Sequence, residues 1–148
     1  MRKYVLAMLA VVMSFMSGYA FDKYSINRND LPEAAQEFLT THFPKAKVGM
    51  VKTDKHLLKK TDYDVKLVNG TKIEFNNAGK WTSVDCKTRE VPEGIIPKAI
   101  RNYVGKNFPD VKIVKIEKTS TKYEVGLSDD VELTFNLLGQ FKSIKMDD

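Results

Sequence analysis

The sequence predicts an α+β fold, a tandem repeat of one helix plus four-stranded antiparallel unit, with the helices packed on one face of a curved antiparallel sheet. Three observations predict it. The chain aligns with itself over most of its length. Each copy opens with an apolar stripe of helical period that ends at a proline. Each copy then alternates apolar and polar residues in short runs separated by turn residues.

The first segment stands outside the repeat. Met1-Arg2-Lys3-Tyr4 is a short basic start, Val5 to Met16 is uncharged and apolar, and Gly18 and Ala20 are small. This is the pattern of a secretory signal peptide over residues 1–20, cut after Ala20, which makes the chain periplasmic or secreted. The apolar run falls well short of the ~20 residues that cross a bilayer, and no second stretch in the mature chain reaches that length. Arg2 and Lys3 leave with the signal, so the formal charge falls from +5 to +3, with 22 basic residues against 19 acidic. A weak, evenly spread positive balance in an exported chain excludes nucleic acid as the expected partner. The hydrophobic content of 43% excludes disorder.

After an N-terminal segment, 21–29, the first copy covers 30–87. Asp30 is the expected helix N-cap, with Pro32 in the first turn and Glu33 completing a capping box. Leu31, Ala34, Ala35, Phe38, Leu39 and Phe43 form one apolar stripe, which Pro44 ends. Tyr63, Val65 and Leu67 alternate with Asp62, Asp64 and Lys66, as a strand with one dry face does. Asn69-Gly70 predicts a two-residue hairpin turn, and Asn77-Ala78-Gly79 a three-residue one. That register sets Phe75 against Trp81 in the core. It sets Glu74 beside Thr82 and Lys72 beside Val84 on the outer face.

A connector, 88–95, leads to the second copy, 96–148. Leu31-Pro32 matches Ile96-Pro97, and His42-Phe43-Pro44 matches Asn107-Phe108-Pro109. Val48 and Val51 match Ile113 and Ile116, and Tyr63, Val65 and Leu67 match Tyr123, Val125 and Leu127. Ile73-Glu74-Phe75-Asn76 matches Leu133-Thr134-Phe135-Asn136. Gly79, Trp81, Ser83 and Val84 match Gly139, Phe141, Ser143 and Ile144. Five extra residues of the first copy fall between Lys52 and Asp62. Each unit alone is near the lower size limit for a stable core, which favours one shared between the two.

The catalytic inventory is thin, and the chain is expected not to be an enzyme. His42 near a helix end is explained by a favourable helix C-terminal charge. His56 sits in the insertion with Lys55, Lys59 and Lys60, as in a solvated basic loop. Cys86 is the only cysteine, so an intramolecular disulfide is excluded. It is read as a buried or half-buried structural thiol. No spacing identifies a metal site, a phosphate loop or a pair of carboxylates for acid and base work, and no cofactor is expected.

What remains points to binding. Val68, Val84, Ile144 and Met146 are expected among the charges of the outer sheet face. Leu137-Leu138 occupies a turn tip, an unusual place for leucine. The candidate partner face is therefore Lys66, Lys72, Glu74, Thr82, Val84, Leu137, Leu138, Lys142 and Ile144. It would capture a periplasmic protein, peptide or small ligand, with the chain a monomer or weak dimer. The alternative is a structural or self-associating envelope protein, paired through strand edges or through Cys86.

A helix ending in His-Phe-Pro or Asn-Phe-Pro, strands with Tyr-Asp-Val or Tyr-Glu-Val, and Phe-Asn-x-x-Gly-x followed by Trp or Phe together resemble the PepSY-like periplasmic proteins of Bacteroides-type bacteria. The resemblance covers about Asp30 to Lys145. It implies a fold related to the beta-lactamase inhibitory protein, an exported location and no enzyme activity. It also implies an inhibitory or binding role, although no inhibitory residue carries over and the disulfides of that inhibitor are missing.

Overall fold

The computed structural model describes residues 22–55 and 62–146. The expected signal peptide and His56, Lys59 and Lys60 of the insertion lie outside the described residues. Nine strands form one antiparallel sheet in sequence order: β1 Lys23–Ser25, β2 Val48–Asp54, β3 Asp62–Leu67, β4 Lys72–Phe75, β5 Trp81–Asp85, β6 Ile113–Lys118, β7 Lys122–Leu127, β8 Val131–Asn136 and β9 Phe141–Met146. Two helices, α1 Glu33–His42 and α2 Lys98–Asn107, complete the α+β fold.

The helix starts correct the capping expectation. Asp30 ends a short 3-10 turn, Arg28–Asp30, and α1 begins only after Pro32, without a side-chain cap. A residue preceding proline is pushed out of helical geometry, and Leu31 is accordingly extended, at φ −88° and ψ 152°. The Pro32 carbonyl instead accepts the first helical bonds, from the N–H groups of Ala35 and Gln36 at 3.0 and 3.1 Å. Pro97 opens α2 in the same way, accepting from Ile100 and Arg101.

One cross-strand row makes the centre of the core: Val51, Val65, Ile73, Val84, Ile116, Val125 and Leu133 stand opposite one another in turn, all at most 1% exposed. The helices meet the sheet through aromatic rings. Phe38 of α1 meets Phe75 edge-on, with ring centres 5.4 Å apart, and Tyr103 of α2 meets Phe135 likewise at 5.4 Å. Trp81, expected in the core, is half-buried against it.

Bulges set the register. Phe75 faces Trp81 as expected, but the ladder then slips, so that Glu74 faces Ser83, Ile73 faces Val84 and Lys72 faces Asp85. Thr82 is the extra residue. The same slip between Thr134 and Phe135 sets Leu133 opposite Ile144 and Val131 opposite Met146. The expected Asn69-Gly70 two-residue loop is a three-residue loop, 68–70. Its closing bonds run from Leu67 N–H to the Thr71 carbonyl and from Gly70 N–H to the Leu67 carbonyl. Gly70 takes the left-handed position, at φ 94°.

Candidate functional site

The outer sheet face grows directly from the polar half of each alternation. One row reads Lys52, Asp64, Glu74, Ser83, Glu117, Glu124, Thr134 and Ser143 across β2 to β9. The next reads Met50, Lys66, Lys72, Asp85, Lys115, Gly126, Glu132 and Lys145. The first row is mainly acidic and the second mainly basic. Lys115–Glu117 at 3.1 Å ties the two rows along β6, and Lys122, outside both rows, pairs with Glu124 of the first row at 2.6 Å. Lys52 bridges Asp22 and Asp54 at 3.4 and 3.2 Å.

Asp64 is the electrostatic outlier of this face. Burial is the main cause that pushes its carboxyl up to about 6. A hydrogen bond with Asp54 and the negative charges of Asp54 and Glu74 push the same way, while Lys52 opposes them. Asp54, Asp62, Asp64 and Glu74 line a cleft of about 330 Å³ with Asn76 and Thr82. Among the described residues, however, no group of three His, Cys, Asp or Glu side chains is placed to hold a metal ion.

The predicted partner-face residues separate into two groups. Lys66, Lys72 and Glu74 lie together on β3 and β4, and Thr82 joins them through its hydroxyl, 3.4 Å from the Glu74 carbonyl. Leu137, Leu138, Lys142 and Ile144 lie at the β8–β9 end. Five strand spacings separate β4 from β9, about 24 Å. Val84 belongs to neither group. It is 0% exposed, because the bulge at Thr82 turns it into the core opposite Ile73 and Ile116. Ile144 and Met146 are likewise turned by a bulge to the core side of the sheet, not the outer side.

Five of the eight exposed large apolar side chains among the described residues lie at that second end. Leu138 is 78% exposed at the tip of the 137–139 loop, beside the half-exposed Leu137. Along β9, Phe141, Ile144 and Met146 face the core side yet remain exposed, since β9 is the last of the described strands. Phe141 stacks on Tyr103 of α2 with ring centres 4.8 Å apart, which seats the strand without covering it. The loop is fixed from below: the Asn136 side chain accepts from the N–H groups of Leu138 and Gln140 at 3.0 and 2.9 Å.

The remaining candidates show little reactive chemistry. His42 packs on Phe38 at 4.7 Å, and burial lowers its pKa, so the neutral ring is favoured. The cleft beside it, about 540 Å³, is lined by Lys45, Lys47, Arg89 and Val68 among others, with no carboxylate. Cys86 is a buried free thiol, as the sequence suggests, and burial pushes its pKa up. No described helix is long and apolar enough to cross a membrane.

Comparisons with known proteins place this geometry among relatives. Residues 61–143 match the family described as "Putative beta-lactamase-inhibitor-like, PepSY-like". The chain is similar to a "putative periplasmic protein of unknown function" from Bacteroides vulgatus, with 39% identity and a TM-score of 0.80 over 84% of this chain and 99% of that one. It is similar to a "putative calcium-regulated periplasmic protein" from Bacteroides thetaiotaomicron, with 42% identity and a TM-score of 0.79, covering 84% of this chain and 96% of that one. A further "putative periplasmic protein" of Bacteroides vulgatus shares 43% identity at a TM-score of 0.79, with the same two coverages. No curated protein matches.

Proposed function

Because the chain belongs to the PepSY-like, beta-lactamase-inhibitor-like family, we propose that it is an exported, non-enzymatic binding or inhibitory module of the periplasm that captures a protein or peptide partner. In this reading residues 1–20 are a signal peptide removed after Ala20. The mature chain is two tandem PepSY-like units, 30–87 and 96–148, joined by 88–95 after the leading segment 21–29. Both helices lie on one face of a shared sheet. The mature protein works as a monomer or weak dimer and needs no cofactor.

The observation that carries the proposal is the exposed apolar surface of the β8–β9 end: Leu137, Leu138, Phe141, Ile144 and Met146. Apolar groups gathered at one end of a charged surface mark a partner site. The outer face at Lys66, Lys72, Glu74 and Thr82 is charged and lacks such a cluster, so it acts as an electrostatic rim that orients the partner. The lack of a carboxylate around His42 and the raised pKa of Cys86 support a non-enzymatic reading. One solved relative is described as calcium-regulated; the acidic cleft on this chain is not arranged to hold an ion among its described residues, and the proposal includes no metal.

The test is a pull-down from periplasmic extract with the mature chain, beside two folded double variants. Leu138→Glu with Ile144→Glu is expected to lose the partner that the parent retains. Lys66→Glu with Lys72→Glu is expected to keep it with weaker binding. Equal retention by all three, or loss only in the lysine variant, overturns the assignment of the surface.

A further inference from the structure

The molecule contains its own comparison for the open end of the sheet. β5 and β9 occupy matching places: Val84 stands opposite Ile73, and Ile144 opposite Leu133, each just beyond a bulge. Beyond β5 lies β6, paired through Ser83 with Glu117, Val84 with Ile116 and Asp85 with Lys115. Beyond β9 no strand of the described chain follows. The consequence is visible in exposure, 0% for Val84 and 45% for Ile144.

The backbone tells the same story. Cys86 N–H donates to the Val114 carbonyl at 2.9 Å. Two residues earlier in an antiparallel ladder, the N–H and C=O of Val84 point the same way, toward β6. Ile144, in the matching place, turns its own backbone pair toward the open edge. The opposite edge of the sheet differs, since β1 has three residues and leaves a short template. β9 offers six.

We propose that β9 accepts an extended, acidic segment of a protein partner by strand addition, with apolar residues alternating with Glu or Asp. This deepens the binding reading above and rests on it. The apolar positions would meet Phe141, Ile144 and Met146 as Ile116 meets Val84. The acidic positions follow from charge. In β5 the outer-face residue Asp85 faces Lys115. Lys145 takes the place of Asp85 on β9, with Lys142 beside it in the bulge, so the sign of the neighbour reverses. Neither lysine is in an ion pair among the described residues. A second copy pairing β9 on β9 would bring four lysines together, and like charges across strands are unfavourable. Edge lysines are the device that discourages such self-pairing. An acidic strand meets the same lysines as partners.

The experiment uses the isotope-labelled mature chain and two capped peptides, one alternating Glu with Val and one alternating Lys with Val. The Glu–Val peptide is expected to slow exchange of the Ile144 amide and to bind at least about tenfold more tightly than the Lys–Val peptide. Lys142→Glu with Lys145→Glu should invert that preference. Equal binding of the two peptides, protection away from β9, no binding of either, or a dimer protected at β9 overturns strand addition. If it is overturned while Leu138→Glu with Ile144→Glu still loses the captured partner, the hairpin surface stands and only the mode of binding falls. If that loss also fails, the binding surface itself is wrong.

Discussion

Gly79 and Gly139 carry a constraint that Gly70 does not. All three have positive φ, at 80°, 80° and 94°. A Cβ on Gly79 would come within 2.9 Å of Pro32 Cβ and 3.0 Å of Ala35 N, and one on Gly139 within 2.8 Å of Ala99 Cβ, whereas Gly70 faces open space. These two turns therefore press against the first turns of α1 and α2. Gly70→Ala should cost only the conformational penalty, about 1 kcal/mol. Gly79→Ala and Gly139→Ala should each cost about 2 kcal/mol or more, because overpacking adds to that strain. Urea unfolding of the three variants checks the order. At Asp64 the argument is electrostatic. Its pKa is raised to about 6, so the protonated form is the one the fold favours. That contribution is fully present below about pH 4, the ordinary carboxylate value, and is lost as pH rises through the folded value of about 6. Asp64→Asn keeps a donor toward Asp54. It should leave stability unchanged in acid and raise it above pH 6 by about 1 kcal/mol, since the site is only partly shielded from solvent. Thermal melts across that range measure it.

At the scale of elements, the bulges decide what the sequence could show. A strict period of two from Trp81 brings Ser83 to the core side and sends Val84 outward, and the same period from Phe141 sends Ile144 outward. The structure reverses both. The signal was present in the spacing: Trp81, Val84 and Cys86, and Phe141, Ile144 and Met146, each step by three and then by two. One extra residue in the ladder produces that step. β2 and β6 carry the same step at Val48 and Val51, and at Ile113 and Ile116, with a register shift at each. The helices, their prolines and the Asn77–Gly79 loop were legible because their signals are local. β1 was not, since three residues with mixed burial carry no period. The register yields a sharp contrast for measurement. Val84→Glu buries an unpaired carboxylate and should destabilise by more than about 3 kcal/mol, while Ile144→Glu at the edge should cost less than about 1 kcal/mol. Denaturant midpoints of the two variants separate these cases.

At the scale of the whole molecule, nine strands in sequence order leave two ends, and the ends are unequal. The N-terminal end is closed by a short β1, held through Arg28, whose guanidinium donates to the Gln36 carbonyl and the Thr40 hydroxyl at 2.8 and 2.7 Å. The C-terminal end presents β9 and the Leu137-Leu138 tip. The leucine tip was legible because apolar residues at a turn contradict turn chemistry. The exposure of Phe141 beside it was not, because it depends on β9 having no outer neighbour among the described strands, a property of the assembled sheet. Cys86 bears on assembly as well. At 3% exposure it is shielded from a second thiol, so non-reducing electrophoresis of the folded protein should show a monomer, with thiol reagents reacting only on unfolding. A disulfide-linked dimer would instead favour the self-associating envelope reading.

The central claim is that partner binding sits at the β8–β9 end rather than across the charged outer face. Amide hydrogen exchange of the mature chain, with and without the protein it retains from periplasmic extract, tests this directly. Slowed exchange through residues 137–146, with none added at Lys66, Lys72 or Glu74, is the predicted result. Slowed exchange across β3 and β4 with β9 unchanged would contradict it.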